Sequence, residues 1–129
     1  MRAKLWVVAA VMGGLALPAQ AHELTMSECL EGSDFIKNAA LSRDYGMTRE
    51  DFLGRMASDI AAIQAFPPEL RWFVQDQDDE TLLVGFAERV FDSPQAPESH
   101  QSDFLAACVQ HRAMQSGGSA QAADTMLVR

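Results

Sequence analysis

Residues 25–68 read TMSECLEGSDFIKNAALSRDYGMTREDFLGRMASDIAAIQAFPP, and this stretch decides the fold class. Thr25-x-x-Glu28 is a capping box, a pair in which side chain and backbone satisfy each other's donors at a helix start. Apolar residues follow at Met26, Cys29, Leu30, Ile36, Ala40 and Leu41, close to helical spacing. Gly32 and Ser33 weaken the second turn. Gly46 suits a helix stop. Thr48 opens a second helix, with Glu50 and Asp51 in its first turn, where the helix dipole favours negative charge. Phe52, Met56, Ile60 and Ile63 repeat with a period near 3.6, and Pro67-Pro68 ends the run, because proline donates no helical hydrogen bond.

Working outward, the same grammar continues to Arg112. Pro68–Val74 is expected to form a short helix carrying Leu70, Trp72, Phe73 and Val74. Asp76 to Glu80 reads as a turn and an acidic helix start. The next helix is expected over Asp79–Phe91, with Leu82, Leu83, Phe86, Val90 and Phe91 on one broad face. Gly85 inside it costs about 1 kcal/mol relative to Ala and marks an expected close approach by a neighbour. Ser93–Ala96 is a loop. Pro97 fits the first turn of the last helix. That helix has a stripe of Phe104, Leu105, Cys108 and Val109, with His111 and Arg112 at its C-terminal dipole. Residues 113–129 read as a flexible tail around Gly117-Gly118. No alternation suggests a strand. The expectation is an all-α bundle of four to five helices, spanning residues 22–112.

Ahead of it lies an export signal. Arg2 and Lys4 give a positive start, and Leu5–Leu17 form an apolar run of 13 residues. That is short of the ~18 needed to span a bilayer. Ala19-Gln20-Ala21 is a small-x-small cleavage pattern, so cleavage is expected after Ala21 and the mature chain begins at His22. No twin-arginine pair is present, so the general secretory route to the periplasm is favoured. No span is expected in the mature protein.

The full chain of 129 residues has net charge −8. Removing residues 1–21 takes away two basic groups, leaving 8 Lys+Arg against 18 Asp+Glu, a net −10 with Lys37 the sole lysine. Such a surface repels nucleic acid and anionic lipid, both bound mainly through Lys and Arg. It attracts a basic protein partner and speeds encounter with it.

Cys29 and Cys108 are the only cysteines. In an exported chain an even count implies a disulfide, and two allow one pairing. The bridge makes the first and last helices antiparallel neighbours. Chain entropy sets its stabilisation at up to ~4.5 kcal/mol.

Catalytic signatures are missing. There is no G-x-S-x-G, no H-E-x-x-H, no phosphate-binding glycine loop and no C-x-x-C-H. No cofactor is implied. The run Asp76, Asp78, Asp79, Glu80 fails as a calcium loop, since Thr81 and Ala87 stand where Gly and Glu are required. With Trp72, these four acids are the candidate contact residues for a basic partner. Three other roles fit. One is an inhibitor or immunity protein of a basic secreted hydrolase. Another is an acid-stress periplasmic chaperone. The third is copper binding through the α-amine and imidazole of His22, joined by His100 or His111.

Four parts, Cys29, Arg43-Asp44-Tyr45-Gly46, Ala87 to Pro94 and Phe104 to Cys108, resemble in their order a group of small exported bacterial helical proteins of unknown function with one Cys pair. The resemblance implies a helical, disulfide-bridged periplasmic domain and carries over no catalytic or binding residue.

Overall fold

The computed structural model describes residues 23–128, with side chains described up to Ser116. Four α-helices and one 3-10 turn make up its regular structure: α1 (Met26–Asp44), α2 (Arg49–Gln64), the turn at Pro68–Leu70, α3 (Gln77–Asp92) and α4 (Pro97–Val128). There is no strand among the described residues.

The helix ends are set by the expected side chains. The Thr25 hydroxyl accepts the Glu28 N–H at 3.0 Å, and Glu28 Oε1 accepts the Thr25 N–H at 3.1 Å. Gly46, with φ of 103°, takes the left-handed backbone that lets the chain leave α1. Thr48 caps α2 and Asp76 caps α3. Pro97 is the first residue of α4.

Cys29 and Cys108 are bonded, with Cα atoms 5.6 Å apart. Contacts step in opposite directions on either side of the bridge. Leu24 N–H meets Gln115, Asp34 meets Gln101, and Arg43 meets His100. So α1 and α4 are antiparallel neighbours, as the bridge requires. α3 packs against both, and α2 packs chiefly on α3. The core holds Cys29, Ile36, Leu83, Val90, Phe73, Phe104 and Cys108. A file of rings crosses it: Phe86, Phe104, Phe73, Trp72, Phe35, Phe52 and Phe91, with successive centroids 5.4–6.3 Å apart.

Four expectations are corrected. First, only Pro68–Leu70 is helical in the Pro68–Val74 segment. Beyond it Phe73 has φ of 60°, and Val74 N–H bonds Trp72 C=O at 2.5 Å. This is a γ-turn of the positive-φ kind, which a helix cannot contain. Second, the buried stripe of α1 runs through Cys29, Gly32, Ser33, Ile36, Ala39 and Ala40, leaving Met26 and Leu30 exposed. Leu30 lies about 100° around the helix from Cys29. Third, Gly85 has open space where a Cβ would stand; the close approach is at Gly32, against Phe104 and Phe73. Fourth, the chain does not leave the helix at Ala113, because α4 continues to Val128. Ala113, Met114 and Gln115 favour helix, and Gln115 is bonded to both Leu24 and Asp79. The signal segment and His22 lie outside the described residues.

Candidate functional site

The N-terminus of α3 divides the four candidate acids into two kinds. Asp76 and Asp78 are exposed and Glu80 is half-exposed, whereas Asp79 is fully buried. Asp79 therefore drops out as a contact residue. It lies three residues after the cap, on the face that turns inward against α4. Its Oδ2 accepts the Gln75 N–H at 3.1 Å, and its Oδ1 pairs with His111 Nε2 at 2.9 Å. Gln115 Nε2 reaches the same oxygen at 3.4 Å. Burial raises the Asp79 carboxyl above its ordinary value, and the bonds from His111 and Gln75 partly oppose this. The Asp79–His111 pair joins α3 to α4. Asp79 and Gln115 both lie within hydrogen-bond reach of His111 Nε2.

Trp72 also has an inward role. Its ring stacks at a tilt on Phe35 and Phe73, and its indole N–H donates to Glu31 at 2.8 Å. It is half-buried against α1 rather than standing beside the acids of α3. The γ-turn after it is held by Glu28, whose Oε2 accepts the Phe73 N–H at 2.9 Å. Glu28 thus caps α1 with one oxygen and pins the α2–α3 connection with the other. The capping box revealed the first bond. Nothing local in the sequence signals the second, which spans 45 residues.

His100 and Arg43 form a further polar tie. His100 Nε2 accepts the Gln95 N–H at 2.9 Å and lies 3.4 Å from Arg43 Nη1. Arg43 donates to the Val90 and Gln95 carbonyls as well. Burial, then the Arg43 charge, lowers the His100 pKa from its ordinary value. His100 and His111 therefore each have structural partners. No group of three or more His, Cys, Asp or Glu able to hold a metal occurs among the described residues.

Glu80, though not Asp76 or Asp78, lines a groove that sequence reading missed. It runs between α2 and α3, with a cavity of about 260 Å³. Leu53, Met56, Ala57, Ile60, Ala61 and Val84 form its floor and walls. Glu80, Glu88 and Gln64 supply its polar rim. Gln64 Nε2 donates to Glu80 at 2.9 Å, where the end of α2 meets the start of α3. At the other end Arg49 binds Asp92 at 2.8 Å and reaches Glu88 at 3.8 Å. A clue lay in the sequence: Ala57 and Ala61, four apart on α2, have side chains too small to fill the space beside α3.

No helix among the described residues is long and apolar enough to cross a membrane. No family model, curated protein or solved structure matches the chain.

Proposed function

We propose that this chain is a non-enzymatic protein of the periplasm that binds a basic protein partner through its acidic surface. The observation that carries this reading is uncompensated charge at the start of α3. Asp44, Glu88, Asp92 and Asp79 each have an ion-pair partner. Asp76, Asp78 and Glu80 have no cationic partner among the described residues, and Gln64 offers Glu80 a neutral amide. A net charge of −8 for the whole chain adds a long-range attraction for cations. The Cys29–Cys108 bridge and the Ala19-Gln20-Ala21 pattern support export to an oxidising compartment. Asp76, Asp78 and Glu80 are the contact residues in this reading.

The test is affinity capture with tagged mature protein from periplasmic and culture extracts. A partner of high isoelectric point should be retained at low salt and released as ionic strength rises past ~0.15 M. Asp76→Asn/Asp78→Asn should weaken its retention. Recovery of no basic protein, or retention indifferent to both salt and these substitutions, refutes the reading.

A further inference from the structure

The α2–α3 groove combines an apolar floor with a negative rim, and the two together specify an occupant. Ala57 and Ala61 are exposed, so another backbone can come close to α2 there. Leu53 and Val84 are half-exposed beside them, and Met56 and Ile60 close the floor beneath. Glu80 and Glu88 are eight positions apart on α3, ~12 Å by helical rise. An amphipathic helix laid along the groove would place cations seven or eight residues apart beside these two carboxylates. Its apolar stripe, at spacings of three, four and seven, would meet the floor.

Charge excludes the obvious alternatives. A second copy of this chain would bring its own acidic surface against this rim, and an anionic lipid surface would be repelled. Among the described residues the Glu80 carboxylate meets only the Gln64 amide, and Glu88 lies 3.8 Å from an arginine already bound more closely by Asp92. The rim is therefore still able to bind a cation.

We infer that the α2–α3 groove receives a short amphipathic helix of the basic partner, with its apolar stripe on Leu53, Ala57, Ala61 and Val84 and its Lys or Arg residues on Glu80 and Glu88. This inference rests on the basic-partner reading and gives it a location and a shape.

The probe is a labelled synthetic helix of about 15 residues, long enough to form helix when docked. It carries Leu at the stripe positions and Lys seven apart. It is titrated into mature protein and followed by fluorescence anisotropy. A scrambled peptide of the same composition should bind at least about tenfold more weakly. Glu80→Gln and Glu88→Gln should each lower affinity about two- to fivefold, as for exposed ion pairs. Ala61→Glu puts an unpaired carboxylate on the apolar floor and should lower affinity at least about tenfold. Because Ala61 is exposed, this variant should keep its stability within about 0.5 kcal/mol.

Equal binding of the scrambled peptide, or indifference to Ala61→Glu, overturns the groove assignment. So does the absence of binding by the patterned peptide. A dimer in sedimentation that Ala61→Glu dissolves overturns it too, because the occupant is then a second copy. Each of these leaves the broader reading standing if a captured basic partner still responds to Asp76→Asn/Asp78→Asn. Failure of capture itself refutes that reading instead.

Discussion

Replacing Gly32 by alanine tests the tightest contact in the core. The added Cβ would lie 2.7 Å from Cε1 and 2.9 Å from Cζ of Phe104, and 3.2 Å from Cε2 of Phe73. Ordinary contact begins near 3.4 Å, so the Phe104 ring must move by roughly 0.7 Å. It has little room. Phe73 packs on one side at 5.8 Å and Phe86 on the other at 5.4 Å, centroid to centroid. The helices cannot simply part, because Cys29, three residues before Gly32, is bonded to Cys108, four residues after Phe104. Overpacking of this kind costs typically ~1–3 kcal/mol, and the higher helix propensity of Ala returns about 1. A net destabilisation of ~0–2 kcal/mol is expected. Gly85→Ala is the matched control: nothing lies within 4 Å of its Cβ, so only the propensity gain of about 1 kcal/mol remains. Urea unfolding followed by far-ultraviolet circular dichroism, with equal slopes, should separate the two variants by the overpacking cost, ~1–3 kcal/mol. A Gly32→Ala protein as stable as Gly85→Ala would refute the packing argument.

Further outcomes follow from the ties between helices. Removing both cysteines should lower stability by up to ~4.5 kcal/mol, because the bridge closes a loop with a sequence separation of 79; a loss under about 1 kcal/mol in chemical denaturation would contradict this. Asp79→Ala strands the Gln75 N–H and removes the His111 partner, so a loss of ~2–4 kcal/mol is expected, against about 0.5 or less for exposed Asp78→Asn; equal effects would place Asp79 at the surface after all. His100 has its folded pKa below the ordinary 6.5, so on acidification the unfolded chain takes up a proton that the fold resists. The His100 contribution is thus present above pH 6.5 and lost as pH falls through the folded value. His100→Gln keeps an acceptor for Gln95 without titrating, and the fall in denaturation midpoint below pH 6.5 should become shallower; an unchanged slope would rule His100 out. Asp79 acts with the opposite sign, since its carboxyl is raised above 3.8: its stabilising contribution is full below 3.8 and is lost as pH rises through its folded value. Asp79→Asn should therefore remove a gain that the native chain shows on acidification toward that range, measurable by the same midpoint series.

The helices were legible because their signals are local. Thr25, Thr48 and Pro97 act within one turn of their own chain, and so the sequence alone places three of the four helix starts. The bridge followed from counting, and the antiparallel pairing followed from the bridge. What escaped depends on distant partners. Phe73 takes a positive φ that no aromatic residue prefers, and it does so because Glu28, from 45 residues away, binds its N–H while its ring is enclosed by Phe104 and Trp72. Asp78 and Asp79 are adjacent acids of the same type; only the angle at which α3 meets α4 makes one a surface charge and the other the buried partner of His111. The groove escaped for a related reason. Met56 and Ile60 belong to the 3.6-period stripe of α2 and are buried, yet the alanines beside them leave a hollow that only the placement of α3 defines.

These placements separate the buried ties from the exposed ones. The buried polar ties, Glu28 to Phe73, Asp79 to His111 and Arg43 to the Val90 carbonyl, all join α1, α3, α4 or the segment leading into α3. The disulfide joins α1 to α4. None of them involves α2, whose polar links to α3 are the exposed Gln64–Glu80 bond and the pairs of Arg49 with Asp92 and Glu88. Exposed bonds of this kind contribute at most about 1 kcal/mol each. α2 is thus held by apolar packing and exposed polar links, and it walls the groove. A partner helix entering there would displace no buried hydrogen bond and strain no covalent bridge. Its docking would be opposed mainly by the ordering of Glu80, Glu88 and its own backbone. The buried polar bonds and the disulfide thus tie α1, α3 and α4 together, and exposed polar links join α2 to them.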